Sequence, residues 1–362
     1  MLRLRSDTSL MLSVSMVASV ACGPQSFVIG DSGKGRDSNI VTIPPGGDAD
    51  TDADADSDAD SDADSDTDAD TDTPPQYDCG NLPEFNLGDT TLTEARAYHG
   101  IAFDDEGNLF GWDGRSALFK SRRDDTRTLF VPGLTYVEQL DEMADGTIVM
   151  VDGAGRRLAR VTADGALETI ATDMAGVYGV TTGPDGMLYV ADGRVHRVDP
   201  ATGEKTTLLQ QIGRGTSVHS LNFNLDSTRL YLGTIGRGDL YYVDLDADLN
   251  PVGEPQVLAS GVGAGWHDGV EVDACGNIYV ADYVTSGLYR VAAADNAVVR
   301  MVEPGNYTAY GHGTRWGSGI DGWRADTLYQ PQPYNNSTVR EVIIGFPSGD
   351  TVRTWNGVAA PW

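Results

Sequence analysis

Basic residues are scarce in this 362-residue chain: Lys and Arg together number 25, against 54 Asp and Glu, for a net charge of −29. Thirteen of the acids are the Asp at every even position from Asp48 to Asp72, and taking these 13 from the surplus of 29 leaves −16 on the rest. Such a chain lacks the cationic footprint of a nucleic-acid-binding protein, and it would be repelled by anionic lipid. Long apolar runs are also missing. Beyond the first residues none approaches the roughly 18–20 residues of a membrane span. There is no GxSxG elbow, no P-loop and no HExxH pair, so the common nucleophile, phosphate and zinc signatures are absent. Glycine, by contrast, is plentiful at 44 residues, well above the usual ~7%. That excess favours a turn-rich β protein over a helical one. The length allows one large or two ordinary domains.

The N-terminus reads as an address. Arg3 and Arg5 precede a mostly apolar or small stretch at 9–21, the pattern of a secretory signal. It ends in Ser19-Val20-Ala21-Cys22-Gly23, which resembles the lipobox of bacterial lipoproteins. That resemblance implies cleavage after residue 21, acylation of Cys22 and a lipid-anchored protein of the bacterial cell envelope, on the outer membrane, touching the membrane through its lipid only. Residues 22–78 hold few large apolar groups and then the alternating Asp run. Such a segment buries too little surface to offset its ordering entropy and repels itself into an extended form, so it is expected to be a disordered acidic tether. A calcium-binding repeat would need a turn Gly and a closing Glu, and the run has neither.

Residues 79–362 repeat one pattern: a Gly turn, an apolar strand, then Asp. Gly107-Asn108-Leu109-Phe110 leads to Asp113, Gly146-Thr147-Ile148-Val149 to Asp152, Gly186-Met187-Leu188-Tyr189 to Asp192, and Gly276-Asn277-Ile278-Tyr279 to Asp282. Degenerate copies stand at Arg229-Leu230-Tyr231 and Thr327-Leu328-Tyr329, so the apolar anchors fall 39, 40, 42, 48 and 50 residues apart. A second short strand follows each anchor strand, and a further one follows in most copies. Four short strands per unit of ~40–50 residues is the propeller signature. The expected fold is all-β, a six-bladed β-propeller of four-stranded blades over 79–362.

In a propeller the innermost strands begin around one end of a central tunnel. Counting eight places back from each turn Gly places His99, Glu138, Tyr178 and Asp268 there, and Ser227 in the Gly place of the fourth unit adds His219. The sixth unit gives Gly317 or Ser318 on the same count. The chain has only five histidines, and two of them fall on this ring. His267 adjoins Asp268, His312 lies in the loop entering the last blade, and His196 sits inside a strand. Polar residues at a tunnel mouth are often simply hydrated. The sharper reading is a divalent metal site, for which imidazole and carboxylate on rigid strands suit Zn²⁺, Mn²⁺ or Fe²⁺ better than Ca²⁺. Such an ion turns bound water into a hydroxide nucleophile near neutral pH. Arg315, Trp316, Trp266 and Tyr310 stand in ring-side loops, where they are candidates to line a substrate pocket. Cys79 and Cys275 remain after lipidation of Cys22, a pair free to form a disulfide.

The stretches GVTTGPDGMLYVADGRVHRVDP (179–200) and DGVEVDACGNIYVADYVTSGLYRV (268–291) resemble blades of the gluconolactonase/senescence-marker-protein (regucalcin) family and are similar to NHL repeats. The resemblance covers about residues 98–357. It implies a divalent metal held by a Glu opening the first blade, an Asn opening the fourth and an Asp opening the fifth, with a third-blade Asn contacting water or substrate. On this chain those places are His99, His219, Asp268 and Tyr178. Glu138 has no counterpart in that set and is a candidate fourth ligand or general base.

The function expected from the sequence is therefore an envelope lipoprotein whose propeller is a metal-dependent hydrolase of a lactone or ester. His99, His219 and Asp268 would be its ligands, Asp268 and Glu138 its catalytic carboxylates, and Tyr178, Arg315 and Trp266 its substrate contacts. The alternatives are a non-catalytic propeller that binds an envelope protein or glycan, and a metal-dependent lyase. The partner is otherwise a small-molecule substrate, nucleic acid is not expected, and the protein is expected to be a monomer.

Overall fold

The computed structural model describes residues 77–82 and 90–359, apart from 175, 211, 213, 214, 303–310 and 335. The signal segment 1–21, Cys22, nearly all of the 22–78 tether and Tyr310 lie outside the described residues.

The described chain is all-β, with one turn of 3-10 helix near the C-terminus. Strand β1 (Thr90–Arg96) comes first. The first blade is β2 (Ile101–Phe103), β3 (Leu109–Trp112), β4 (Ala117–Ser121) and β5 (Arg127–Pro132). The second is β6 (Val137–Glu142), β7 (Ile148–Asp152), β8 (Arg157–Val161) and β9 (Leu167–Ala171). The third is β10 (Gly179–Thr182), β11 (Leu188–Ala191), β12 (Val195–Val198) and β13 (Lys205–Leu209). The fourth is β14 (Ser217–Phe223), β15 (Arg229–Ile235), β16 (Asp239–Leu245) and β17 (Pro251–Ser260). The fifth is β18 (His267–Val272), β19 (Ile278–Asp282), β20 (Gly287–Val291) and β21 (Val298–Arg300). In the sixth, β22 (Arg315–Trp316), β23 (Thr327–Gln332) and β24 (Thr338–Ile343) are completed on the outside by β1, giving the order β1-β24-β23-β22.

Each blade is an antiparallel meander whose first strand is innermost. Neighbouring inner strands meet: β2 with β6, β6 with β10, β10 with β14, β14 with β18, and β22 with β2. The sixth blade closes the ring by pairing the N-terminal Thr91 and Leu92 of β1 with Glu341 and Arg340 of β24. The first strand of the propeller and its last strand in chain order are thereby hydrogen-bonded into one sheet, which closes the ring between first and last blade.

The core follows the repeat. A separate apolar cluster fills each space between successive blades. Trp112, Leu118 and Leu140 lie between the first and second blades, and Tyr189, Phe223 and Leu232 between the third and fourth. Ala97, Phe103, Trp323 and Tyr329 close the sixth against the first. The anchors Leu109, Ile148, Leu188, Leu230, Ile278 and Leu328 are all buried, each contributing roughly 1.5–3 kcal/mol of apolar burial. The turn glycines preceding the anchors adopt left-handed backbone, as at Gly107 (φ 77°) and Gly276 (φ 80°), and Ser227 takes the same conformation (φ 56°) in the fourth blade. Among the described residues no helix is long and apolar enough to cross a membrane.

Candidate active site

Strand register fixes which residues share the tunnel mouth. Opposite the six anchors stand Phe103, Glu142, Thr182, Phe223, Val272 and Trp316. Four residues before each lie His99, Glu138, Tyr178, His219, Asp268 and His312. Five of these are the residues expected from sequence. The sixth place belongs to His312, not to Gly317 or Ser318. The loop before the sixth anchor is long and carries its left-handed residues at Gly319, Asp321 and Gly322, well before the place used for counting, so the register had to come from β22 pairing with β23.

The six side chains meet. His99 Nδ1 lies 2.9 Å from the carbonyl of Val137 and 3.3 Å from Glu138 Oε2. The His99 and His312 rings are 4.1 Å apart between centroids. His312 Nδ1 approaches Asp268 Oδ2 to 2.5 Å, without the alignment of a hydrogen bond. Asp268 Oδ1 is 3.6 Å from His219 Nε2. Tyr178 stacks flat on His219, at 4.2 Å and 14°. Trp266 Nε1 donates to His219 Nε2 at 3.2 Å, so the His219 proton resides on Nδ1. Two buried polar atoms of this group have no hydrogen-bond partner, His219 Nδ1 and Asp268 Oδ2.

The electrostatics follow from burial. Burial pushes the Asp268 carboxyl up to about 6, against the pull of His219. Burial lowers the imidazoles of His219 and, much further, of His312, where His99 adds repulsion. Burial would also raise Glu138, but the hydrogen bond and charge of His99, with smaller help from Tyr136 and His219, together outweigh it and hold this carboxyl below its ordinary value. At neutral pH the site therefore combines an ionised Glu138, an Asp268 within reach of protonation, and neutral His219 and His312.

Aromatic side chains form the walls. Tyr136 packs edge-on against His99 and Trp112, and Trp266 leans on Tyr283, which faces His312. In four blades an Asp follows or ends the anchor strand and accepts from loop backbone, Asp113, Asp152 and Asp192 within their own turns and Asp282 from a wall-carrying loop as well. Asp282 accepts from the backbone N–H of Ala264 and of Trp266, at 3.0 and 2.9 Å. The repeated Asp is thus a loop-capping residue, and it seats Trp266 above His219.

The other two histidines are structural. His267 is fully buried, with Nε2 2.7 Å from the carbonyl of Val262 and Nδ1 accepting from Thr234. His196, buried in β12, pairs with Asp192 at 3.0 Å and with Thr207. Arg315 does not join the ring. It lies three residues beyond His312 on the sixth inner strand, in a deeper layer, where it meets Glu271 at 2.5 Å and Asp141 at 3.2 Å. There, with Trp316, it lines a cavity of about 640 Å³ at the opposite tunnel end. Sequence reasoning passed over three contributors: His312, Tyr136 and Gln139. His312 carried a signal, as one of only five histidines, but the wall residue Tyr136 carried none, nor did Gln139, whose amide reaches across the tunnel to the backbone carbonyl of Asp268.

Cys79 and Cys275 are joined in a disulfide, with Cα atoms 5.4 Å apart. Cys275 lies in the β18–β19 turn, at the end of the fifth blade away from the ring. Nearby, Tyr77 packs edge-on against Phe346.

Among the described residues no three His, Cys, Asp or Glu side chains already present donors grouped round a single metal position. No protein-family model matches the chain, and no curated protein matches it by sequence. Solved structures do match. A gluconolactonase from Xanthomonas campestris is 17% identical, over 74% of this chain and 95% of that one, with a TM-score of 0.57. A calcium-binding regucalcin from Agrobacterium tumefaciens is 19% identical, over 76% and 97%, also with a TM-score of 0.57. An auxiliary nutrient binding protein from Bacteroides ovatus is 13% identical, over 72% and 75%, with a TM-score of 0.54. At these identities the likeness is one of fold: this chain is a six-bladed propeller of the architecture that gluconolactonase and regucalcin share with a nutrient-binding protein.

Proposed function

We propose that the protein is a hydrolase acting on a small lactone or related ester at the His99–His312 tunnel mouth. The carrying observation is the convergence of three imidazoles and two carboxylates, all largely buried, on one end of the tunnel. Water and a carbonyl substrate reaching this floor meet a base and an acid of different strength. Glu138, kept ionised by His99, takes the proton of the attacking water. Asp268, close to neutrality in its titration, returns a proton to the departing alkoxide oxygen. Tyr178 and Trp266 hold His219 from two sides, and Tyr178 offers its outer face to substrate.

One divalent ion suits the site on a single observation. His219 Nδ1 and Asp268 Oδ2 are buried without a hydrogen bond, Asp268 Oδ2 facing His312 Nδ1 as an ion pair, and imidazole, once the proton has left Nδ1, with carboxylate is a donor set for Zn²⁺, Mn²⁺ or Fe²⁺. His219, Asp268 and His99 would hold it, after side-chain rotation from the pairings described above and with Asp268 ionised, so that Asp268 would serve as ligand in that state and as acid only without the ion. Such an ion would polarise the carbonyl and lower the pKa of bound water. We further propose that Cys22 carries lipid and displays the propeller at the bacterial envelope.

Metal analysis of the purified propeller, together with hydrolysis assays on a lactone and ester panel, tests this reading. Turnover that is lost in Glu138→Gln with the fold intact supports it. Tight binding of an envelope protein or glycan with no turnover of any lactone or ester would instead make the propeller a binding module.

A further inference from the structure

We propose that the substrate of this mouth presents an uncharged aromatic ring, as in an aryl lactone, and not a polyhydroxylated or anionic one. The inference rests on the hydrolase reading for the bond broken, but its own argument comes from the walls.

Among the described residues only three aromatic side chains are exposed: Tyr136 (41%), Trp266 (38%) and Tyr334 (47%). All three stand around this mouth. Tyr136 borders His99, Trp266 borders His219, and Tyr334 packs edge-on to Tyr98, which itself leans on His99. They come from the second, fifth and sixth blades, so chance exposure on one loop does not account for them. Nor are they loose. The Trp266 backbone is held on Asp282 and its indole N–H on His219. Such rings are preorganised faces, and they await another flat ring.

The charge pattern removes the main competitors. Among the described residues, none of the ion pairs made by His99, Glu138, His219, Asp268 or His312 involves Lys or Arg; these side chains pair with one another. A substrate carboxylate or phosphate would meet the carboxylates Glu138 and Asp268, with which no described Lys or Arg is paired. A sugar lactone brings several hydroxyls, each needing a hydrogen-bond partner; the floor supplies carboxylates and imidazoles, but the side chains packed around it as walls are aromatic. Hydroxyls buried there without partners oppose binding. An aryl ring loses nothing of the kind. Its face stacks on Trp266 while its ester carbonyl reaches down to the acid and base.

The test uses the whole protein with two substrates, dihydrocoumarin and gluconolactone, and one inert probe, chroman, which has the same bicycle without the carbonyl. The expected results are a kcat/KM for dihydrocoumarin at least about a hundredfold above that for gluconolactone, and saturable chroman binding weakened about tenfold or more in Trp266→Ala. Trp266→Phe should restore most of the affinity. Because Trp266 is exposed, its loss should spare the fold, and the wild-type substrate ratio stands independently of any variant. Three outcomes overturn the inference: gluconolactone hydrolysed as well as dihydrocoumarin, no chroman binding to the wild type, or chroman binding indifferent to Trp266. Trp266-dependent chroman binding without turnover of any lactone or ester would keep the ring-ligand assignment and remove the hydrolase reading.

Discussion

Gln139 Nε2 donates a 2.7 Å hydrogen bond to the backbone carbonyl of Asp268, 129 residues away and on the far side of the tunnel. The amide also fills the space that a side chain on Gly313 or Gly100 would occupy, 2.1 and 2.8 Å from their ideal Cβ positions. The tunnel is therefore stoppered directly beneath the His–carboxylate ring, and the mouth is a closed cup. Gln139→Ala should leave that carbonyl unpaired and lower stability by about 1–3 kcal/mol. Urea denaturation reads this directly, and an unchanged midpoint would show that the stopper contributes nothing.

A second stopper lies one layer down. Arg315 donates to the carbonyls of Leu140 and Val180, at 2.9 and 3.3 Å, while paired with Glu271 and Asp141. It ties the sixth blade to the second, third and fifth. Removing it leaves two carboxylates buried beside each other, which typically costs about 3–5 kcal/mol. Arg315→Ala should therefore destabilise the propeller strongly. With Gln139 between the layers, the folded variant should bind chroman like the wild type. A selective loss of chroman affinity at unchanged stability would return Arg315 to the substrate site.

How much of this was legible follows from how each feature is encoded. The blades were readable because the Gly turn, the apolar anchor and the capping Asp are local and repeated. Five ring residues were readable because each sits a fixed count before a left-handed turn residue. His312 was not, because the long loop before Leu328 breaks that count. The closure by β1 was invisible for a different reason. Its sequence, TTLTEAR, carries no repeat signature, and its partner strand lies some 250 residues downstream, as the Thr91–Glu341 hydrogen bond shows. Gln139 and Arg315 act across the tunnel, between residues brought together only by circular closure, and no spacing in the chain announces such contacts.

Glu271 supplies a pH prediction. Burial, partly offset by Arg315, raises its carboxyl to about 7 from an ordinary 4.5. Between those values the folded state keeps a proton that the unfolded state has released. Stability contributed by this group is thus fully present below about 4.5 and is lost as pH rises toward 7. The loss is on the order of 3 kcal/mol. Glu271→Gln cannot titrate, while Asp141, Asp350 and Arg315 remain in both proteins. The difference in unfolding free energy, wild type minus variant, should fall across pH 4.5–7 and level off above it. A flat difference across that window would show that Glu271 is ionised throughout.

The disulfide supplies the last. Cys79 and Cys275 close a loop of 196 residues, and in the chain-entropy model a loop of that length stabilises by ~5 kcal/mol at most. The bridge pins the segment leading into β1 beneath the fifth blade, while β1 itself is zipped onto the sixth. Opening it frees that segment without touching a ring residue, because Cys275 lies at the end of β18 away from Asp268. Cys275→Ser should therefore lower the thermal midpoint clearly yet leave chroman affinity and any turnover at the mouth within about twofold at temperatures where the fold persists. Cys79→Ser should do the same, and the double variant should add little to either, since one covalent link is lost in all three. A double variant markedly less stable than both singles would mean that the two thiols stabilise separately and that the bridge is not what holds this face together.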